Sequence, residues 1–171
     1  MNSMTCISCS PSSKADSVGG FDSVTCCASC LDQAAHRIPV HTKEVIRLNA
    51  MIQKTTEKWW VTYDSFPDAL CDRFSDMQCA WTFAKNPKTQ SSAEVVSTKL
   101  VCGAFIKADV AEKIERTVQR DPGIAKIWKF FCEYTLAKNQ FQNSISRHTL
   151  AIAILTREVE RKTPHEAKTN S

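Results

Sequence analysis

Glycine is scarce in this chain: there are four among 171 residues, and two of them are the adjacent pair Gly19 and Gly20. Tight two-residue turns and phosphate-binding loops depend on glycine, because their backbones adopt positive φ or approach a ligand closely. A turn-rich β fold and a glycine-rich nucleotide loop are therefore disfavoured. The composition favours a helical fold.

Long apolar runs are also missing. No stretch approaches the roughly 18 apolar residues that would span a bilayer, and residues 1–20 lack the basic and apolar regions of a signal peptide. The sequence therefore predicts no transmembrane segment and a cytoplasmic location. Thiols stay reduced there, so nine cysteines predict metal binding, burial or redox chemistry before structural disulfides.

Catalytic motifs are absent as well. The chain has no Gly-x-Ser-x-Gly elbow, P-loop, dinucleotide fingerprint or His-Glu-x-x-His motif. His148 and a later cysteine would make a nucleophile pair, but His148 falls on the apolar stripe of the last predicted helix and is interpreted as a core histidine. The sequence predicts that the protein is not an enzyme.

No charge of one sign dominates. Residues 1–90 carry nine Lys/Arg and nine Asp/Glu, whereas residues 91–171 carry thirteen and nine, which accounts for the net charge of +4. Such an excess permits contact with nucleic acid or acidic lipid without requiring it, since solvated helix faces often have this composition. The candidate nucleic-acid-binding residues lie on the C-terminal helix and are Arg147, Arg157, Arg161 and Lys162.

Three regions are predicted. Residues 1–41 form an irregular, cysteine-rich zinc-binding segment without helical period, residues 42–162 form a helical domain, and residues 163–171 form a disordered tail. The expected fold class is mainly α, a bundle of five to six helices preceded by the small zinc-binding segment.

Capping residues, prolines and apolar stripes locate the helices. Trp59, Trp81 and Trp128 fall on predicted core faces, while Trp60 does not. The predicted helices begin at Thr42, Pro67, Ser91, Asp109 and Ile124, and a last helix runs from Ile145 to Val159. Ser91 and Glu94 form a capping box, and the helix that they begin is predicted to end near Lys107. The helix that begins at Asp109 is predicted to end near Val118.

The cysteines of the first segment are spaced as in a zinc site. Cys6-x-x-Cys9 and Cys27-x-x-Cys30 are separated by seventeen residues, within the window for sites of four cysteines. Each pair places two thiolates around a tight turn, and two pairs complete a tetrahedron around zinc. The predicted cofactor is zinc, and such a closed site argues against metal catalysis.

Other ligand sets and another role remain open for this segment. Cys26, His36 or His41 could replace one of the four ligands, so the set is not fixed by spacing. The alternative is a disordered leader with free or lipidated cysteines, since adjacent Cys26 and Cys27 suit acylation.

Four later cysteines fall within predicted helices. Cys71, Cys79, Cys102 and Cys132 are predicted to be buried as small hydrophobic residues. A second metal site built from Cys71, Cys79 and Cys102 is the alternative.

Three features resemble the small cysteine-rich proteins of rod-shaped plant viruses, the hordeivirus gamma-b and furovirus cysteine-rich class. They are the N-terminal cysteine cluster, the central pair Cys102-Gly103 and the charged helical C-terminal part; Ile106 stands where the family motif Cys-Gly-x-x-His has histidine. The resemblance implies a viral suppressor of RNA silencing that acts in host–virus interaction, binds RNA and self-associates. Its location would then be the host cytoplasm.

A second set of residues resembles the helical domain of regulators of G-protein signalling. Glu44-Val45 at a helix start, and the stretch from Phe105 to Asp109 followed by Ile114, carry this likeness. It implies a helical module that binds a protein partner. RNA, a protein partner and a second copy of the chain are thus the partners that the sequence leaves open.

Overall fold

A computed structural model describes residues 6–9, 25–85 and 97–163. These residues form five α-helices and one antiparallel two-stranded sheet, so the predicted mainly α fold class is confirmed. The elements are α1 (Ala28–Asp32), α2 (Ala34–Asp64), α3 (Asp68–Ala84), β1 (Thr98–Val101), β2 (Ala104–Lys107), α4 (Ala108–Arg120) and α5 (Pro122–Lys162).

The chain divides into two compact units. Unit 1 comprises residues 1–52 and 141–171, and unit 2 comprises residues 53–140. Unit 1 has a small core, which is made of Ile7, Cys26, Cys30, Ala34, Ala151 and Leu155. Four of these six side chains are cysteine or alanine, so apolar burial gives this unit only modest stabilisation.

Unit 2 is built around an aromatic cluster. The Phe74 side chain is fully buried, and its ring centroid lies 5.8 Å from Trp59, 5.9 Å from Tyr63, 6.0 Å from Trp128 and 5.4 Å from Phe131. The rings are tilted or edge-on, which is the arrangement that aromatic quadrupoles favour. Phe74 is thus the centre of the unit 2 core.

The predictions for the tryptophans are confirmed. Trp59, Trp81 and Trp128 are buried, whereas Trp60 is 55% exposed. The indole nitrogen of Trp81 donates a hydrogen bond of 3.0 Å to the carbonyl of Val101, so the buried polar group is satisfied.

The helix predicted from Ser91 to Lys107 is wrong over its described part. Residues 98–107 form the β1–β2 hairpin, in which Val101 pairs with Ala104. The two turn residues, Cys102 and Gly103, both have positive φ, 47° and 75°, as hairpin turns of this length require. The predicted capping box at Ser91 lies outside the described residues.

The hairpin turn also explains why glycine occurs at position 103. A Cβ there would lie 3.0 Å from side-chain atoms of both Leu136 and Asn139 on α5. A larger residue would meet strain from the positive φ and this close approach together.

Helix boundaries differ from the predictions at both ends of the chain. Helical structure begins at Ala28, inside the segment predicted to be irregular, and Thr42 lies within α2, where its hydroxyl bonds the Ile38 carbonyl instead of capping a helix. The two predicted C-terminal helices are one continuous helix, α5. The predicted tail, apart from Thr163, lies outside the described residues.

The later cysteines match the predicted burial only in part: Cys102 is buried in the unit 2 core, and Cys71 and Cys132 pack against that core. Cys102 and Cys132 form a disulfide, so Cys102 is not available for a second metal site with Cys71 and Cys79. Cys79 is exposed and Cys71 is partly buried. The prediction failed because helix periodicity does not show that the hairpin turn at Cys102 faces α5.

The stretch from Phe105 to Asp109, which carries part of the likeness to regulators of G-protein signalling, is helical only from Ala108 onward. Ala104–Lys107 is strand β2, and only the following residues belong to a helix. A protein-interaction role stays a prediction.

Candidate metal centre

Two short segments of unit 1 bring cysteines together. Residues 7–9 form a turn, and the Ile7 amide donates to the Thr25 carbonyl at 3.3 Å, which fixes the turn beside the chain entering α1. Cys27 is the N-cap of α1, and Cys30 lies in the first turn of that helix. Because residues three apart share one helix face, both α1 cysteines present their sulfur atoms to the same side.

The sulfur atoms of Cys6, Cys9, Cys27 and Cys30 all lie within 4.8 Å of one another. The sulfur of Cys30 lies 3.8 Å from that of Cys6 and 3.1 Å from that of Cys9, and the Cys9–Cys27 sulfur distance is 3.6 Å. A tetrahedral site with metal–sulfur bonds of about 2.3 Å has sulfur–sulfur edges of about 3.8 Å. The four cysteines therefore form a cluster that could hold a metal ion.

Hydrogen bonds make the four thiols unequal. Although burial raises the pKa of Cys6, backbone amides of Cys27, Cys9 and Ser8 lower it to about 6, and the Cys27 amide lies 3.2 Å from the sulfur. Hydrogen bonding to neighbouring cysteines raises the pKa of Cys9 to about 12. Burial is the main reason that the pKa of Cys30 is raised.

These hydrogen bonds favour the thiolate at Cys6, whereas Cys9 and Cys30 hold their protons more strongly, so a metal has to displace protons from these two thiols. A divalent cation supplies the charge that stabilises several adjacent thiolates, so metal binding should release protons. The donor set of four sulfurs suits zinc, which is the metal that such sites commonly hold.

The alternate ligands are not among the four sulfurs that lie within 4.8 Å of one another. Cys26 is buried in the unit 1 core beside the cluster, and burial raises the pKa of its thiol to about 11. His36 is exposed on α2. His41 is buried and bonds to Ser8 and His148, so its ring nitrogens are already engaged.

A buried polar chain beside the cysteines was missed by sequence reasoning. The Ser8 hydroxyl lies 2.8 Å from Nε2 of His41, and Nδ1 of His41 lies 2.8 Å from Nδ1 of His148. All three side chains are buried. The interpretation of His148 as a satisfied core histidine is confirmed, but its partner 107 residues away has no signal in the sequence.

The histidine pair predicts a pH dependence of stability. Burial lowers the pKa of His41, and the charges of His148 and Arg37 add to this; burial also lowers the pKa of His148, with Arg47 adding to it and Glu44 opposing it. Between the ordinary value of 6.5 and the lowered values, the unfolded chain binds more protons than the folded chain. Stability should be complete above pH 6.5 and should fall as the pH drops through that window.

Denaturant unfolding of the wild type and the His41→Gln, His148→Gln double variant between about pH 7.5 and about pH 5.5 measures this effect. Acidification should lower the stability of the double variant clearly less than that of the wild type. Titration of the cysteine thiols contributes equally to both proteins and therefore cancels in the comparison. An identical pH dependence in the two proteins would contradict the assignment.

The four predicted nucleic-acid-binding residues all lie on α5. Arg161 forms an ion pair of 2.8 Å with Glu158, and Lys162 lies 3.3 Å from both Glu158 and Asp32. Hydrogen bonding to Arg161 is the main reason that the pKa of Glu158 is lowered to about 2, so the carboxylate stays charged. Arg147 is partly buried and Arg157 is exposed. RNA binding by these residues stays a prediction.

None of the helices within 6–9, 25–85 and 97–163 has the length and apolar character needed to cross a membrane. No protein-family model, curated protein or solved structure matches this chain. The geometry of the cysteine cluster is therefore the main guide to function.

Proposed function

We propose that this is a zinc-binding cysteine-rich regulatory protein in which one zinc ion is held by the sulfurs of Cys6, Cys9, Cys27 and Cys30. The observation that carries the proposal is the convergence of these four sulfurs within 4.8 Å, at distances near the edges of a tetrahedron. The two cysteine pairs come from segments separated in sequence, so the ion would join them. This joining compensates for the small apolar core of unit 1.

The proposed role of zinc is structural. Catalytic zinc keeps a coordination position for water or substrate, and four thiolates fill every position of a tetrahedral site. We accordingly propose that the protein is not an enzyme. Reduced thiols are needed for such a site, which fits a cytoplasmic location.

Elemental analysis of purified protein tests zinc binding. Wild-type protein expressed with added zinc should carry close to one zinc per chain, and Cys30→Ser should lose most of it, because the variant lacks one of the four sulfurs of the cluster. Cys79→Ser is the matched control, since this thiol is free and exposed on α3. Wild-type protein without zinc, or equal zinc in all three proteins, would refute the proposal.

We further propose RNA as the regulatory partner, in a viral suppressor of RNA silencing. The support is the resemblance to plant-virus cysteine-rich proteins and the basic excess of residues 91–171. Because Glu158 neutralises part of the charge of Arg161 and Lys162, the exposed Arg157 should contribute more to RNA affinity than either.

Gel shifts with single- and double-stranded RNA at two salt concentrations test this partner. Affinity should fall steeply with salt, as expected when Lys and Arg displace counterions from phosphates, and Arg157→Gln should weaken it at low salt. Absence of binding at low salt would remove RNA as the partner while leaving the zinc site untouched. A protein partner or self-association would then be sought by size-exclusion chromatography and co-purification.

A further inference from the structure

Helix α3 carries an exposed aromatic side chain and borders a groove. Phe83 is 84% exposed, the largest exposed fraction among the large hydrophobic side chains that the structure describes. The groove has a volume of about 430 Å³ and is lined by residues of α3, α4 and the start of α5. The side chain and the groove both belong to unit 2.

Two helical stripes line this groove, which we call the α3–α4 groove. The lining side chains fall within residues 73–80 on α3 and within residues 110–117 on α4, so each stripe covers two helical turns. Met77, Ile114 and Ile124 are buried and form an apolar floor. The groove is therefore suited to an apolar side chain.

Hydrogen bonds at one end fix the shape of the groove. Arg73 of α3 forms an ion pair with Oδ2 of Asp121, which directly precedes α5. Oδ1 of Asp121 accepts hydrogen bonds from the amides of Gly123 and Ile124 at 3.0 and 3.2 Å. These bonds join α3 to the start of α5, so the groove is preformed and costs less to fill.

Phe83 lies on the same face of α3 as the groove. It follows Ala80 by three residues and Asp76 by seven, and these spacings place residues on one face of a helix. With a rise of about 1.5 Å per residue, Phe83 lies about 10 Å along the helix from Asp76. One face of the chain thus has an apolar projection and an apolar depression at a fixed separation.

We propose that two copies of this chain associate through this face, with Phe83 of each copy seated in the α3–α4 groove of the other. A two-fold axis that passes beside Cys79 and Ala80 exchanges the positions of Asp76 and Phe83, so it brings both rings to both grooves at once. A seated ring contacts the Met77 sulfur, and sulfur contacts with aromatic rings are favourable.

A second copy is the partner that covers both features together. A different helix or a small ligand would fill the groove but leave Phe83 exposed, whereas an identical chain buries both. Asp76 and Lys113 border the groove and are exposed, so they stay hydrated around a seated ring, as the polar rim of an interface does. The proposal concerns unit 2 and does not depend on the metal site.

Sedimentation velocity over a range of protein concentrations tests the proposal, and a non-reducing gel excludes disulfide-linked dimers. The wild type should form a reversible dimer whose population rises with concentration. Phe83→Ala should weaken dimerisation by about 100-fold or more, because it removes two aromatic anchors from each dimer. The ring is exposed in the single chain, so the variant should keep the stability of the monomer.

Phe105→Ala is the matched control for this substitution. The Phe105 ring is also largely exposed in unit 2, but it lies on β2 and does not line the groove. This variant should dimerise as the wild type does. Equal weakening by Phe83→Ala and Phe105→Ala would contradict the seating of Phe83 in the groove.

A second variant blocks the groove instead of removing the ring. Ala80→Gln places a longer polar side chain at the mouth of the groove and should also weaken dimerisation. In a mixture of Phe83→Ala and Ala80→Gln, the intact ring of one variant meets the open groove of the other, which restores one of the two contacts. The mixed dimer should therefore be about tenfold tighter than the dimer of either variant alone.

Other results would overturn the proposal. A wild type that stays monomeric at all concentrations would show that a second copy does not fill the groove. A dimer that Phe83→Ala leaves intact, or a mixture no tighter than the single variants, would place the interface elsewhere. If Ala80→Gln fails to fold, the comparison of Phe83→Ala with Phe105→Ala decides alone. Loss of the zinc proposal would leave this one standing, since the dimer is measured without reference to metal.

Discussion

Replacing Phe74 with alanine should lower the free energy of unfolding by about 3–5 kcal/mol, the usual cost of deleting a fully buried aromatic ring. Phe74 is completely buried at the centre of the unit 2 aromatic cluster, where Trp59 and Phe131 lie against it. The cavity left by the ring cannot be filled without moving α2 or α5. Urea unfolding followed by tryptophan fluorescence and far-UV circular dichroism measures the loss.

Phe83→Ala is the matched control for this substitution. Phe83 lies on the same helix, α3, but is 84% exposed. Its replacement should change stability by no more than about 0.5 kcal/mol, as for most surface positions. Equal losses for the two variants would show that the core assignment of α3 is wrong.

Breaking the Cys102–Cys132 disulfide should lower the stability of oxidised protein by about 3–4 kcal/mol, because the bond closes a loop of 30 residues and restricts the unfolded chain. Cys132→Ala removes the bond from the α5 side. Unfolding of wild type and variant is compared without reductant. With reductant, the two proteins should become nearly equal.

Cys102→Asn, measured in the same experiment, separates the effect of losing the disulfide from the effect of the turn conformation at position 102. Cys102 occupies a position with φ of 47°, which asparagine adopts more readily than most residues. This variant should therefore be more stable than Cys102→Ala, although both lack the disulfide. A reductant effect that is the same in the wild type and in Cys132→Ala would contradict the disulfide assignment.

The disulfide and the cysteine cluster have opposite redox requirements. A metal site needs reduced thiols, whereas the Cys102–Cys132 bond needs an oxidant, and a reducing cytoplasm favours the first. The two groups lie in different units, so a reductant is expected to act on unit 2 without removing the ligands of the unit 1 site.

Helices with strong apolar stripes were predictable from the sequence. α3 and α4 lie close to their predicted bounds, because Pro67 and Asp109 mark helix starts by local chemistry that needs no tertiary contact. Helix starts that depend on packing were missed. Pro39 reads as a helix breaker, yet α2 runs through it.

The hairpin shows where helix periodicity misleads. Val96, Leu100 and Ala104 are spaced as one face of a helix, but Val101 and Ile106 instead face inward on two paired strands. The deciding signal was the pair Cys102-Gly103, in which both residues adopt positive φ. Cysteine is unusual at such a turn position, so the local sequence gave little indication of it.

The cysteine cluster could be predicted from the spacing of the cysteines, whereas the buried residues around it could not. Two Cys-x-x-Cys pairs suggest a four-sulfur site because each spacing restricts local geometry. His41 and His148 are 107 residues apart in the sequence, and their contact depends on how α2 and α5 pack in unit 1. The position of Ser8 between two cysteines likewise does not indicate that its side chain is buried.

X-ray absorption at the zinc edge of the purified protein tests the central claim most directly. If the four cysteines form the metal site, the first coordination shell consists of four sulfur atoms at about 2.3 Å. A shell containing nitrogen or oxygen would show that a histidine or water has replaced one of these sulfurs. Absence of zinc from protein prepared with the metal present would contradict the account altogether.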